Sequence, residues 1–403
     1  MGQPSLELAD IFRQHGEDYR TKYGSRMSPQ QHRVMRAIAI CRTAALGGHV
    51  DACDHCGHRV VSYNSCRNRH CPKCQSLAKA KWLQARRAEL LPVPYYHVIF
   101  TLPHPLAPLA RQNKRVVYNI LFQAVSQTLL TLAADPKHLG AEIGFLAILH
   151  TWGQNLLAHP HVHCVVPGGG LADNRQKWIA GRKRFFLPVR VLSRLFRRLF
   201  LDRLQKAFAQ GRLAFHGDIQ HLADPDAFDR FLQTCRRTDW VVYAKPPFGG
   251  PEKVLDYLAR YTHRIAISNH RLLTMDERNV SFTWRDYKHG GARRTLTVDA
   301  HEFIRRFLLH VLPNGFVRVR YYGLLANRHR TQTLQLCRTL LEVPESANSQ
   351  PIAQQDWTDL LTSLTGVDPL GCPQCKKGRL VRVETLPPSS PLRTRSPPGG
   401  HPS

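Results

Sequence analysis

The stretch His159-Pro160-His161-Val162-His163-Cys164-Val165-Val166-Pro167 decides the fold of this chain. Histidine alternates with other residues at its start, and the run then becomes apolar, which is typical of a β-strand. Successive side chains of a strand point to opposite faces, so His161 and His163 share one face while Val162 faces the core. We therefore predict a strand that presents two imidazoles to one cation.

Similar short β-rich runs lie on both sides of this strand. The predicted strands cover residues 96–102, 144–151, 161–167 and 240–244, and the predicted helices cover 109–134, 189–209 and a segment that begins after Pro251. Hairpin-like strands are expected around Asn279, residues 289–291 and residues 314–315. Because strands and helices mix without strict alternation, the pattern predicts an α+β fold with a largely antiparallel sheet.

The composition points to a polyanionic partner. The chain has 403 residues, with 57 Lys and Arg against 29 Asp and Glu, a formal net charge of +28. This surplus excludes an acidic or neutral metabolic enzyme, and it persists most easily where nucleic acid neutralises it. With 43% hydrophobic residues the chain can bury a core, and it has no uninterrupted apolar run of about 18 residues. We expect a cytoplasmic, nucleoid-associated protein with no membrane partner.

Four cysteines predict a structural zinc site. Cys53 and Cys56 form one Cys-x-x-Cys pair, and Cys71 and Cys74 form a second pair after fourteen intervening residues. Two such pairs supply four thiolates to a tetrahedral Zn²⁺. A ligand exchange or a second metal stays open, because other candidate ligands lie nearby: Cys41, His49, His55, His58, Cys66 and His70. The pair Cys372-Pro-Gln-Cys375 is half a site whose partner ligands the sequence does not name.

These patterns divide the chain into five segments. We expect N-terminal helices over 1–46, a small zinc-ribbon-like module over 47–92, the main α+β domain over 93–335, a C-terminal helical segment with the Cys-x-x-Cys pair over 336–386, and a disordered tail over 387–403.

Three motifs in order resemble those of the HUH endonucleases, whose name describes a histidine pair around a hydrophobic residue. They are the strand Tyr96-His-Val-Ile-Phe-Thr-Leu-Pro103, the pair His161-Val-His163 and the run Val254-Leu-Asp-Tyr-Leu-Ala-Arg-Tyr-Thr-His-Arg264. The Cys-rich run Tyr63–Cys74 and the segment Tyr322-Gly-Leu-Leu-Ala-Asn327 narrow the resemblance, over residues 45–330, to rolling-circle transposases of the IS91 type. The resemblance implies an antiparallel-sheet HUH endonuclease domain over residues 93–335.

The resemblance also implies a metal-assisted reaction on single-stranded DNA at element ends and target sites. His161 and His163 are expected to hold Mg²⁺ or Mn²⁺, with Gln154 as the first choice of third ligand and His159 as the second. Gln154 is expected on the strand that precedes the histidine pair in a hairpin.

Tyr257 and Tyr261 stand four apart, so on a helix their hydroxyls share one face, and the resemblance makes them the nucleophiles that form a 5′-phosphotyrosine. Arg260 and His263 are expected to assist at the phosphate. No Gly-x-x-x-x-Gly-Lys-Ser/Thr loop occurs in the sequence, so unwinding and synthesis are assigned to a host helicase and the replication machinery.

Two alternatives stay open from the sequence. One is a plasmid or phage rolling-circle replication initiator, which uses the same chemistry. The other is a zinc-dependent DNA-binding regulator without catalysis, in which the histidine and tyrosine pairs are structural.

Overall fold

A computed structural model gives the architecture of the chain. It describes residues 6–87, 89–182, 186–248, 253–254, 266–286, 289–343, 358–359, 361–362 and 366–389. The helices are α1 Leu8–Tyr23, α2 Pro29–Ala39, α3 Gln75–Arg87, α4 Ala107–Gln112, α5 Lys114–Ala134, α6 Val189–Ala209, α7 Pro225–Arg237, α8 Ala300–Leu309 and α9 Arg330–Leu340. The strands are β1 Gly48–Cys53, β2 Arg59–Tyr63, β3 Tyr95–Thr101, β4 Gly144–Trp152, β5 Ala158–Pro167, β6 Gly169–Leu171, β7 Trp178–Ala180, β8 Val242–Phe248, β9 Leu272–Met275, β10 Asn279–Asp286, β11 Ala292–Asp299, β12 Val319–Gly323 and β13 Leu380–Leu386.

The largest sheet has five strands in the order β12, β4, β5, β3, β8, and each neighbouring pair is antiparallel. The predicted strand around the histidine pair is β5, which lies at the centre. The predicted α+β class with a largely antiparallel sheet is confirmed.

The two faces of this sheet pack against different surroundings. On one face, Val98, Phe100, Val162 and Cys164 join a large core that also holds side chains of α5 and α6. The histidines of β5 alternate with these residues and therefore lie on the opposite face. There a smaller cluster contains Tyr95, Ile148 and Val165.

Helix α5 runs through the large core. Among the described residues it is the one helix long and apolar enough to cross a membrane by length and composition. Its side chains Leu121, Phe122 and Val125 are fully buried in the large core. This burial identifies α5 as a core helix.

Helix α6 shows how one segment divides between core and solvent. Leu192, Phe196, Phe200 and Leu204 recur every four residues and are buried. Arginines occupy the other side of the helix, including exposed Arg194 and Arg198. Because an α-helix has 3.6 residues per turn, residues four apart lie on one side of it. The apolar side of α6 packs into the large core, and its basic side faces solvent.

The N-terminal helices belong to a second unit. Helix α2 begins after Ser28, whose hydroxyl accepts from the backbone N–H of Gln31, and the Gln31 side chain accepts from the backbone N–H of Ser28 in return. Phe12 of α1 packs edge-on against Phe307 of α8, and Phe303 of α8 packs against Phe282 of β10. Helices α1, α2 and α8 therefore share one core with the sheet β11-β10-β9.

The tip of the β4–β5 hairpin joins the two units. Leu156, in the turn, is fully buried in the second core beside Trp152. The Arg306 guanidinium of α8 donates to the carbonyl oxygen of Asn155 at 3.2 Å. This docking holds the hairpin that carries the histidine pair.

The expected division at residues 47–92 and 336–386 is wrong. Strands β1 and β2 pair with β13, giving a three-stranded sheet in the order β13-β1-β2. Cys53 lies opposite Leu380, and Gly48 lies opposite Leu386. The C-terminal segment thus completes the small N-terminal sheet, because backbone pairing between strands does not depend on their separation in sequence. Of the expected tail, residues 390–403 lie outside the described residues.

Candidate active site

Three histidines meet on the open face of the large sheet. His150 of β4 lies directly opposite His161 of β5, and His163 follows two residues later on the same face. One ring nitrogen from each histidine lies within 4.8 Å of those of the other two. Three neutral imidazoles at this spacing fit a single divalent cation.

Neighbouring groups orient the three rings. Nδ1 of His161 lies 2.6 Å from the carbonyl oxygen of His159 and donates to it, which leaves Nε2 as the lone-pair nitrogen. Nδ1 of His163 lies 2.9 Å from Nε2 of His97 on β3. Trp152 stacks on His150 with ring centroids 4.9 Å apart.

His97 is a buried partner of this cluster. Burial, assisted by the charge of Lys245 and by His161, lowers the pKa of His97 to about 3. The ring is therefore neutral at physiological pH and can share a hydrogen bond with His163 without adding positive charge to the site. In the sequence, His97 falls within a strand motif that indicates no role for its side chain.

The expected position of the third ligand is wrong. Gln154 lies in the turn after β4, beyond the last strand pair Trp152–Ala158, and its carbonyl oxygen accepts from Arg271. His150 occupies the strand position that was expected for Gln154. His159 lies on β5 two residues before His161 and contacts it, through the carbonyl hydrogen bond and with ring centroids 5.0 Å apart.

The predicted nucleophiles Tyr257 and Tyr261, with Arg260 and His263, lie outside the described residues. The described residues on either side give two anchors. Val254 is fully buried in the cluster that contains Ile148 and Val165. Ala266 and Ile267 are buried in the second core with Trp152 and Leu156.

The grouping of Cys53, Cys56, Cys71 and Cys74 into one site is wrong, because the structure divides them between two clusters. Cys71 and Cys74 meet Cys41 and Cys66, whereas Cys53 and Cys56 meet Cys372 and Cys375. The sequence had left a second metal open.

The first cluster, which we call the inner cysteine cluster, consists of Cys41, Cys66, Cys71 and Cys74. Its Sγ atoms are separated by 3.4 Å for Cys41–Cys74, 3.5 Å for Cys66–Cys74 and 3.6 Å for Cys41–Cys71. A tetrahedral zinc site with Zn–S bonds of about 2.3 Å requires about 3.8 Å between sulfurs, so the donors fit Zn²⁺. Hydrogen bonds from Cys41, Cys66 and Cys71 lower the pKa of the Cys74 thiol, which favours the metal-binding thiolate.

The inner cysteine cluster also braces the hairpin. Cys41 ends the segment after α2, and both Cys41 and Cys71 are buried in the second core beside Trp152 and Leu156. The Arg69 guanidinium next to it donates to the carbonyl oxygens of Phe316 and Pro313, at 2.6 and 3.0 Å. A metal there would fix the position of the α2 end against the histidine hairpin.

Two basic clefts lie on the surface. The first follows α6 and is lined by Arg194, Arg197, Arg198 and Arg236, with a volume of about 540 Å³. The second, of about 720 Å³, lies between the N-terminal helices and α5 and is lined by five cations: Arg26, Arg33, Arg111, Lys114 and Arg115. No carboxylate lines this second cleft in the part of the chain that the structure describes. Such surfaces suit phosphate groups.

Comparisons with known proteins assign the family. Residues 144–333 match a family model described as "Putative transposase", and residues 11–102 match one described as "Transposase zinc-binding domain". The chain is 58% identical over 384 residues to "Putative transposase y4qJ" of Sinorhizobium fredii, which covers 95% of this chain and 96% of that protein. It is 28% identical over 341 residues to the transposase for insertion sequence element IS801 of Pseudomonas savastanoi pv. phaseolicola, covering 84% and 80% of the two chains. No solved structure matches.

The boundaries of the two family models agree with the geometry. The histidine cluster lies within residues 144–333, and all four residues of the inner cysteine cluster lie within residues 11–102. With a relative that shares more than half of its residues along nearly the whole length, this chain belongs to the IS91 family of transposases and is a DNA-processing enzyme with a zinc-binding domain.

Proposed function

We propose that this transposase nicks and transfers single-stranded DNA by a rolling-circle route through a 5′-phosphotyrosine. The observation that carries the proposal is the cluster of His150, His161 and His163 on one face of the sheet. One ring nitrogen of each lies within 4.8 Å of those of the other two. When bound, Mg²⁺ or Mn²⁺ would polarise the scissile phosphate as a Lewis acid.

The anchors of the tyrosine segment support the proposal. Val254 packs on the histidine face of the sheet, and Tyr257 follows it by three residues, a reach of about 11 Å at most. Ala266, the first described residue after the segment, lies in the core that contains Trp152, the residue stacked on His150. The described residues that flank the tyrosine segment thus belong to the same apolar clusters as Ile148 and Trp152, two residues of the strand β4 that carries His150.

His150 is our proposed third ligand, in place of Gln154. The register puts it opposite His161, and Trp152 holds its ring. His97 is a positioning residue, since its contact with Nδ1 of His163 leaves Nε2 of that ring for the ion. Three imidazoles, with no carboxylate in the cluster among the residues that the structure describes, favour Mn²⁺ over the harder Mg²⁺.

The proposed step exchanges one oxygen–phosphorus bond for another. A tyrosine oxygen loses its proton and forms a bond to phosphorus in line with the 3′-oxygen, the P–O3′ bond breaks, and the departing 3′-oxygen takes up one proton to give a free 3′-OH. A phenol has an ordinary pKa of about 10, so attack near neutral pH needs a base for its proton, and His263 is our candidate. Arg260 would balance the charge on the phosphate. The ester bond is retained in the adduct, so a later hydroxyl can rejoin the strand without ATP.

The proposal also covers the DNA substrate, the host partners and the location of the reaction in the cell. The DNA would be unpaired at element ends and at the target, and a host helicase and the replication machinery would supply strand separation and synthesis. The enzyme would act at the nucleoid in the cytoplasm, because the chromosome is its substrate.

The proposal is tested with a single-stranded oligonucleotide taken from the DNA that flanks the gene, labelled at the 5′ end in one sample and at the 3′ end in another. With Mn²⁺, we expect the 3′ label to become attached to protein and the 5′ label to appear in a shorter free strand. Nicking should need less Mn²⁺ than Mg²⁺. Attachment of the 5′ label, or an adduct formed on duplex but not on single strands, would contradict the proposal.

The basic surface of α6 is expected to bind the DNA backbone. Replacing exposed Arg194 and Arg198 by Gln should lower affinity and reduce the slope of log affinity against log salt by about 1.4, since each lost contact to a single strand removes about 0.7. Fluorescence anisotropy over a salt series measures the slope. The matched control is Arg13→Gln with Arg20→Gln, two arginines already paired with Asp10 and Glu17. Equal slopes in the two double variants would show that Arg194 and Arg198 face solvent and do not contact the DNA backbone.

A further inference from the structure

The second cysteine cluster is formed by the two ends of the chain. It consists of Cys53 and Cys56, before and after the turn that ends β1, and of Cys372 and Cys375, just before β13. We call it the outer cysteine cluster. Its two halves are more than 300 residues apart in sequence, and Cys372 and Cys375 lie beyond both matched family regions.

The sulfur geometry of this cluster is that of a metal site. Sγ of Cys53 lies 3.7 Å from Sγ of Cys375, and Sγ of Cys56 lies 3.7 Å from Sγ of Cys372. These separations are close to the roughly 3.8 Å between thiolates around a tetrahedral zinc ion and far beyond the S–S bond of about 2.05 Å in a disulfide. Four sulfurs in this arrangement suit Zn²⁺ or iron, and no histidine is needed.

Both turns that carry the cysteines direct backbone N–H groups at a sulfur atom. In the first, the backbone N–H groups of His55 and Cys56 point at Sγ of Cys53, at 3.4 and 3.5 Å. In the second, the backbone N–H of Gly378 points at Sγ of Cys375, at 3.4 Å. N–H donors aimed at sulfur stabilise the thiolate, which is the form that binds metal.

The turns also fit closely against each other. Asp54 N–H donates to the carbonyl oxygen of Arg379 at 3.0 Å, and Arg379 N–H donates to the Asp54 carboxylate at 2.7 Å. Gly378 lies so near that a Cβ there would come within 2.5 Å of the Cys53 sulfur. Only glycine permits this approach, so both turns are shaped around the four sulfurs.

We propose that the outer cysteine cluster binds a second structural zinc ion, which joins the C-terminal strand β13 to β1 and completes the sheet β13-β1-β2. A complete ligand set then exists only in a chain that extends through Cys375. The ion would stabilise a small sheet in which β2 and β13 are mostly exposed and bury little apolar surface. This inference does not depend on the proposed nicking reaction.

Zinc content tests the inference. The full-length protein, purified in the presence of zinc and dialysed, should contain two equivalents per chain by mass spectrometry of the metal. Cys372→Ser with Cys375→Ser should contain one, and the control Lys377→Ala, an exposed change in the same turn, should keep two. One equivalent in the unaltered protein, two in the double variant, or iron in place of zinc would overturn the assignment.

A second measurement keeps the test decisive if the double variant folds poorly. Cys375→His retains four ligands at the site, so the protein should keep two equivalents of zinc. Its cobalt-substituted form should lose part of the thiolate-to-cobalt charge-transfer absorption in the near ultraviolet. Unchanged absorption in this variant would show that Cys375 is not a ligand and would also overturn the proposal.

Discussion

His161→Ala is expected to abolish nicking of single-stranded DNA while the zinc content stays unchanged. The substitution removes one of three imidazoles that lie within 4.8 Å of one another, and it also removes the contact with the His159 carbonyl. Loss of a single positioned electrostatic group commonly costs a factor of about 10²–10³, and loss of a metal ligand should exceed that range. We expect a reduction of at least about 10³-fold in the single-turnover rate of the oligonucleotide assay.

The same assay separates His150 from Gln154 as third ligand. His150→Ala should match His161→Ala, because the strand register puts the two rings opposite each other. Gln154→Ala is the matched control in the same hairpin, and it should keep most of the activity because the contact described there uses its main chain. The reverse ranking would restore Gln154 as the ligand. Loss of zinc in His161→Ala would show instead that the histidines serve a structural metal.

Replacing both Tyr257 and Tyr261 by Phe is expected to eliminate the covalent protein–DNA adduct. Phenylalanine keeps the ring but has no oxygen to bond to phosphorus, so no phosphotyrosine can form. Each single variant should retain one nucleophile and reveal which tyrosine acts in the first cleavage. The measurement is transfer of the 3′ label to protein on a denaturing gel, with DNA binding followed separately by anisotropy.

The control for this experiment is Tyr63→Phe with Tyr243→Phe, a pair of exposed tyrosines on β2 and β8. It should leave the adduct yield unchanged. An undiminished adduct in the Tyr257/Tyr261 double variant would mean that another residue attacks, and the proposed role of the segment after Val254 would then be wrong.

The sequence predicted two of the three histidines of the site. Alternation along one strand is a local property, so it predicted that His161 and His163 share a face, and β5 confirms this. The third histidine needed the register of the hairpin. Residues 150 and 161 are opposite because the turn at 153–157 is docked in the second core, through Leu156. His150 precedes residue 155 by the same sequence distance as His161 follows residue 156. This symmetry predicts that the two histidines pair, but only if the position of the hairpin turn is already known.

For the cysteines too, local spacing predicted the turns but not the long-range contacts between them. The Cys-x-x-Cys spacing marked turns that each bring two sulfurs into a four-cysteine cluster. It did not tell which pairs meet, because the four-cysteine clusters combine Cys41 with Cys71, and Cys53 with Cys372, over very different sequence separations. Pairing by proximity in sequence therefore gave the wrong combination.

By itself the sequence determined the basic charge, the class of fold, the strand with its histidine pair, the helix over 189–209 and the presence of Cys-x-x-Cys turns. Each of these depends on composition or on a period of two to four residues, which neighbouring residues fix. Only the tertiary structure decided that His150 completes the histidine cluster, that His97 supports it, and that β13 closes the small N-terminal sheet. These contacts join residues that are far apart in the chain, and they form because strand pairing and core packing select partners by position in space.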